Sequence, residues 1–393
     1  IIKILLNNLK MEARLFVELL SNIGVVQVHT NGEIISVTNS DKFKSDIGNQ
    51  ITITYNGQSE IYKLPFEVIL NEDVTKNLKV NNKTLRCKYI INRLVKPDMD
   101  DLITKRDSCS KSQLTKVLKN DDNGFLTVNC FNCIVELFRI DKNFPRMLEL
   151  PDENWREMMD LWHCHKPDIK KDNPKNISLD QIFSNKILPK YDNLLIGDSY
   201  YLINTNLFTK DLKITNSKVH CYNCDKLLGS VYNVNDEHTT CKILKQKVVI
   251  TNSNSKIDIK YEIYDYLTLT ILKSIKNFGS RFFTVKSKKQ ANSGQVLLIW
   301  CFDYGLSIGI NDVKLDNRLK IMYQNLDEND TNDKQNLQDL EHKHNFEEII
   351  LEDEDLEQLG AFEMVINYIE KINKSVVFDK SANIKESWKL SYI

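Results

Sequence analysis

The sequence predicts an α+β fold, and three observations carry that prediction. Short apolar–polar alternations separated by Asn-Gly pairs near the start predict antiparallel strands. A segment with two tryptophans at helical spacing near the middle predicts an amphipathic helix. The last third mixes helical and strand periodicities. The division follows: residues 1–105 as an antiparallel β domain, 106–235 as a middle region, and 236–393 as a C-terminal mixed α/β region with an acidic insertion at 326–358. A length of 393 residues leaves room for two or three domains. Hydrophobic and charged contents of 41% and 27% are those of an ordinary soluble globular chain. The formal net charge of −1 provides no strongly basic surface, so no direct nucleic-acid partner is expected. No apolar run reaches membrane-spanning length, so no membrane partner is expected either.

In the first region, Ile51-Thr-Ile-Thr-Tyr55 alternates with period two and meets Asn56-Gly57, a hairpin signal, and residues 59–64 continue the pattern. Residues 24–29 precede Asn31-Gly32, which carries the same signature. Residues 3–20 can be read as helix instead. Residues 96–123 are polar and weakly periodic, which predicts a linker with one or two helical turns.

In the middle, Asp152 caps a helix with Pro151 just outside it, and Lys166-Pro167 stops it. Trp155, Met158, Met159 and Trp162 fall at i, i+3, i+4 and i+7, one apolar stripe. Residues 194–203 read as a turn entering a buried strand. Further on, residues 261–275 are apolar at helical spacing, and strands are expected at 281–285, 296–302 and 306–310. The 326–358 stretch holds 13 Asp and Glu against two Lys, which predicts a solvated, mobile insertion. A last amphipathic helix at 360–377 and a short strand around Trp388 close the sequence.

The chemistry concentrates in cysteine. Cys130-Phe-Asn-Cys133 and Cys221-Tyr-Asn-Cys224 are two CxxC pairs, and a tight turn aims both sulfurs of such a pair at one point. Together they supply the ligand set of a closed structural zinc site, although the span between them is far longer than in a compact zinc ribbon. The alternative is two separate pairs of buried thiols; neither pair opens a helix in a βαβ unit, which argues against a thioredoxin-like role. An odd count of nine cysteines without a signal peptide predicts a reducing cytosolic or nuclear setting.

Cys164 and His165 end the tryptophan helix, and three readings stay open. They pack at the helix end, or join Cys221 and Cys224 at the zinc, or face a docking partner. The negative end of the helix dipole raises a thiol pKa, so Cys164 suits a metal ligand better than an activated nucleophile. Cys301 reads as a core thiol, and His342 and His344 as solvated surface histidines. No phosphate-binding glycine loop, nucleophile elbow, HExxH or kinase signature is present, and no catalytic residue is assigned.

Four blocks occur in order: Leu148-Glu-Leu-Pro-Asp-Glu-Asn-Trp155, Trp162-His-Cys-His165, Ile196-Gly-Asp-Ser-Tyr-Tyr-Leu202 and Cys221-Tyr-Asn-Cys-Asp-Lys-Leu-Leu-Gly229. With Cys130-x-x-Cys133 and Glu60-Ile-Tyr-Lys-Leu-Pro65 they make residues 15–230 resemble the HECT-like ubiquitin ligase family that binds an E2 conjugating enzyme. Fungal members of that family are tied to cleavage and polyadenylation of mRNA 3′ ends.

The resemblance implies two functions. One is an accessory factor of pre-mRNA 3′-end processing that binds the metallo-β-lactamase-type endonuclease. Trp155 and Trp162 then anchor the helix while Cys164 and His165 are presented to the partner's metal site. The other is an E3 ubiquitin ligase that recruits an E2 through the region around the second CxxC. A HECT ligase needs an acceptor cysteine close to its C-terminus, and the last cysteine here is Cys301. A ligase of this sequence is expected to work by holding the E2.

Overall fold

A computed structural model describes residues 14–20, 23–38, 47–69, 83–89, 98–120, 124–142, 145–151, 187–234, 239–252, 258–287, 294–351, 360–376 and 388–393. The chain begins with β1 (Leu15–Leu20), β2 (Val25–Thr30), β3 (Glu33–Thr38), β4 (Ile47–Tyr55), β5 (Gln58–Ile69) and β6 (Thr84–Tyr89). Helices α1 (Met99–Arg106) and α2 (Lys111–Lys119) follow. Then come β7 (Phe125–Cys130), β8 (Glu136–Asp141), β9 (Arg146–Glu149), β10 (Asn193–Ile196) and β11 (Tyr200–Asn204). The next strands are β12 (Lys213–Thr215), β13 (Lys218–His220), β14 (Leu227–Val234), β15 (Thr239–Leu244), β16 (Val248–Asn252) and β17 (Asp258–Lys260). After α3 (Ile263–Phe278) lie β18 (Phe282–Ser287), β19 (Gln295–Ile310) and β20 (Val313–Asp327). Helix α4 (Thr331–Lys343), β21 (Phe346–Leu351), α5 (Ala361–Val376) and β22 (Lys389–Tyr392) complete the chain. Strand dominates the described residues, with helices interspersed along the chain, so the α+β class holds. No described helix is long and apolar enough to cross a membrane.

Two compact units emerge: Ile1–Ile103 with Leu267–Ile393, and Thr104–Tyr266. In the first, one sheet runs β21-β18-β19-β1-β2-β6-β5-β4-β3, with β20 on β19 and β22 on β20. β1 pairs antiparallel with β19, Phe16 opposite Ile310, so the residues expected as a separate N-terminal domain share a sheet with the last third. Leu15, Val17, Val26, Val28, Ile51, Ile53 and Val68 all bury on one face of the N-terminal strands. These are alternate positions within each strand, as a one-sided core requires. β1 also replaces the helical alternative for 3–20 over the described part of that stretch.

The Asn56-Gly57 turn is a hairpin as expected, with φ of 50° and 80°, the double left-handed turn that matches strand twist. The Asn31-Gly32 signature is a correction. β2 pairs with β1 and β6, whereas β3 pairs only with β4, so the turn moves the chain to another part of the sheet. A Cβ on Gly32 would lie 2.7 Å from both Ile53 Cγ2 and Thr54 O. The glycine is there for close approach to β4.

The expected loop at 326–358 is a second correction over 326–351, and 352–358 lie outside the described residues. Asp330 caps α4 by accepting from the amides of Asn332 and Asp333. Leu337, 5% exposed, packs on Val296, Leu298 and Leu326, and β21 pairs parallel with β18. One apolar residue per helical turn suffices to dock an otherwise charged helix. Beyond it, Phe282 stacks on Trp300 and His344, and Trp300 on the 39%-exposed Phe302. Helices α3 and α5 match the expected 261–275 and 360–377, and Phe362, Val365, Ile369 and Ile372 form the buried stripe of α5. Cys301 is 1% exposed, a core thiol as expected.

The second unit holds two sheets, β12-β13-β14-β15-β11-β10-β9 and β17-β16-β7-β8. Residues 194–203 form two strands around a turn, β10 and β11. The expected linker at 96–123 is instead α1 and α2, with Leu102, Leu114 and Leu118 buried and Ser110 capping α2. Between these helices Asp107 meets Lys245, a lysine with no exposed surface, at 3.3 and 3.2 Å. The rings of Tyr261 and Tyr201 flank the ammonium at 5.1 and 5.7 Å. Arg106 pairs with Asp265 at 3.3 Å, both side chains 9% exposed.

Candidate metal centre

Each CxxC occupies the tip of a hairpin. The first joins β7 to β8 and the second joins β13 to β14, so the pairs belong to different sheets of the second unit. The two tips are built alike. The amide of Cys130 donates to Val135 O at 2.9 Å and that of Ile134 to Cys130 O at 2.9 Å. In the other tip Cys221 N donates to Lys226 O at 2.9 Å and Asp225 N to Cys221 O at 3.0 Å. Ile134 and Asp225, each following its second cysteine, both take φ of 59°. The shared Cys-aromatic-Asn-Cys wording of the two motifs is the sequence signal for this twinning.

The four sulfurs converge. Cys130 Sγ lies 3.7 Å from Cys224 Sγ and Cys133 Sγ 3.7 Å from Cys221 Sγ, and all four lie within 4.8 Å of one another. The edge of a sulfur tetrahedron with bonds near 2.3 Å is about 3.8 Å. No disulfide joins them. A hydrogen bond between the sheets braces the arrangement, Thr209 N to Leu137 O at 2.8 Å, while Phe131 N to Lys247 O at 2.9 Å extends the β7–β16 ladder of the first tip's own sheet. Tyr222 Oη donates to Glu136 O at 3.2 Å.

The electrostatics of the cluster are those of thiols awaiting a counter-charge. Burial pushes Cys130 up, against amide hydrogen bonds from Cys133 and Asn132. Burial likewise raises Cys221, against the amides of Cys224 and Asn223. The same pair of backbone donors thus faces the first sulfur of each tip. At Cys133 burial also acts upward, but it is outweighed by hydrogen bonds from the Asn223 side chain, the Val135 amide and the neighbouring thiols, leaving it at about 7. Four mutually close thiols cannot all ionise without a cation, and a divalent metal would supply it.

The sequence-derived site therefore divides. Cys130, Cys133, Cys221 and Cys224 are brought together across 88 residues or more. Cys164, His165, Trp155 and Trp162 lie outside the described residues. The left-handed positions of Ile134 and Asp225 and the Asn223 contact are absent from the sequence reading. An asparagine two residues after each first cysteine is their only trace in the sequence.

Comparison with known proteins agrees with this pattern of blocks. A family model described as HECT-like ubiquitin-conjugating enzyme (E2)-binding matches residues 18–370, and the chain belongs to that family. An uncharacterized protein of Saccharomyces cerevisiae is 27% identical over 274 residues, covering 68% of this chain and 72% of that protein. A Mus musculus protein named as an E3 ubiquitin-protein ligase is 27% identical over 176 residues, 44% of this chain and 42% of the ligase. Its Homo sapiens namesake is 28% identical over 155 residues, 34% of this chain and 35% of the ligase. The chain thus matches less than half the length of these ligases. No solved structure matches the chain.

Proposed function

We propose that this chain binds a ubiquitin-conjugating E2 and promotes ubiquitin transfer from it, with a zinc ion held by Cys130, Cys133, Cys221 and Cys224. The observation that carries the reading is the E2-binding family match across most of the chain. Relatives named E3 ubiquitin-protein ligase support the direction of the activity. The zinc is structural: four thiolates close its coordination and leave no position for substrate. Its role is to fasten the β7–β8 and β13–β14 tips to each other.

Transfer by scaffolding fits the cysteines better than a thioester relay. Cys109, Cys241 and Cys301, which lie outside the metal cluster, are all buried. None of them is presented to a ubiquitin thioester. A substrate amine would attack the E2 thioester directly, forming the amide while the E2 thiolate leaves; the chain positions the E2 for that step. The endonuclease reading depends on Cys164 and His165, and no relative's name speaks for it, so it stands second.

The test is discharge of E2 charged with fluorescent ubiquitin, in the presence of the purified chain and across a panel of E2 enzymes. The scaffold reading expects accelerated discharge by wild type, and by Cys164→Ala and Cys301→Ala alike. Loss of activity in either variant, with a ubiquitin thioester trapped on wild type, would replace scaffolding by relay. No binding and no acceleration with any E2 would overturn the reading.

A further inference from the structure

The two metal tips are twins in backbone but not in side chain. At the position after the second cysteine both have φ of 59°. Aspartate, as in Asp225, tolerates that conformation because its short polar side chain bonds locally. Ile134 does not. A β-branched residue there crowds its own backbone and is a strained outlier. Nor is the strain offset by packing, since Ile134 is 58% exposed while Val135 and Glu136 beyond it are partly covered. Glycine, asparagine or aspartate would serve the turn better on both counts. Strain held at an exposed apolar side chain on a braced turn points to a role outside the fold.

The surroundings suit a docking point. Tyr222 crosses from the other tip to the carbonyl of Glu136, two residues along from Ile134, and carries the Lys210 ammonium 5.2 Å above its ring. Arg139 on β8 and Asp225 of the second tip, the latter paired at 3.2 Å with Lys213 on the neighbouring β12, supply exposed charged groups beside the tips. A rigid apolar knob with aromatic and charged neighbours has the anatomy of an interface centre with a polar rim.

We propose that Ile134 is the apolar anchor through which this chain engages its E2, inserting into an apolar notch on that enzyme. The proposal rests on the E2-binding reading, and the family's E2-binding description is what commits the occupant. The twinned tips set the anchor's direction, because the turn has no freedom once four cysteines hold it.

Ile134→Asn and Ile134→Gly test it in the full chain, with affinity measured against immobilised E2 enzymes and melting temperature in parallel. Both substitutions suit the left-handed backbone, so the melting temperature should stay level or rise while E2 affinity falls at least tenfold. Phe302→Ala, which trims an exposed aromatic of the other unit, should leave the affinity unchanged. Wild-type affinity in both Ile134 variants overturns the anchor and leaves E2 binding standing. Loss in Phe302→Ala alone moves the docking surface to the Phe282–Trp300 stack. A fall in melting temperature in both Ile134 variants makes Ile134 a packing residue and overturns the anchor too. If wild type binds no E2, the anchor and the function fall together.

Discussion

Lys245 and Asp107, 138 residues apart in sequence, form an ion pair at 3.2 Å with the lysine wholly withdrawn from solvent. Burial pushes the Asp107 carboxyl up, and Lys245 only partly offsets it. Desolvation is therefore the larger force on this carboxylate, as expected of a buried pair. Removing one partner strands a charge. Asp107→Ala should cost about 3–5 kcal/mol, read from denaturant unfolding. The double replacement Asp107→Leu with Lys245→Met should cost far less than Asp107→Ala alone. Equal losses in the two variants would mean the pair itself, and not the stranded charge, supplies the stability.

Metal content is the second expectation. The purified chain should carry one zinc, and Cys221→Ser should lose it. Because the ligands come from two sheets, binding energy appears as folding energy of the second unit. Chelation should then speed amide exchange in β7, β8, β13 and β14 more than in β1 and β2. Uniform exchange after chelation would show that the metal does not hold these hairpins.

A surface cluster predicts a pH effect. Hydrogen bonds from Tyr62 and then Arg14 hold the Glu60 carboxyl below its ordinary value. A carboxyl lowered on folding contributes stability above its unfolded pKa of roughly 4.3, lost as pH falls through the folded value. Glu60→Gln should therefore melt below wild type at neutral pH, and the gap should close as the pH falls through the carboxyl's lowered value. A gap of constant size from neutral to acid would assign the effect to shape instead of charge.

Leu337 tests the folded acidic segment. It is the one buried residue of α4, set on Val296, Leu298 and Leu326. Leu337→Ala should cost about 2–5 kcal/mol. A loss below about 0.5 kcal/mol, the usual limit for surface substitutions, would return α4 to the status of a solvated loop.

What the sequence made legible was local. The Asn56-Gly57 hairpin, α3, α5 and the CxxC turns each follow from residues within a few positions of one another. What it hid was long-range. Asn31-Gly32 looks like Asn56-Gly57, yet its flanking strands find their partners in β1, β6 and β4, and nothing nearby encodes that choice. Composition misled at 326–351, where charge density masked Leu337 and the alternate burial of Ile349 and Leu351. At Ile134 the residue type argues against the backbone it adopts, so no propensity could have placed it there.

The pairing of β1 with β19 also sets a timetable. Arg14 and Leu15 donate to Asn311 across 297 and 296 residues, so β1 waits for about three quarters of the chain before that partner is made. The Thr104–Tyr266 unit is contiguous and is fully synthesised first. On a ribosome adding residues from the N-terminus, the inserted unit can fold and close its four-cysteine cluster while β1 still presents an open edge. Pulse-labelled nascent chains should therefore acquire protease resistance in 104–266 before they acquire it in β1. The reverse order would mean that β1–β6 hold together without β19.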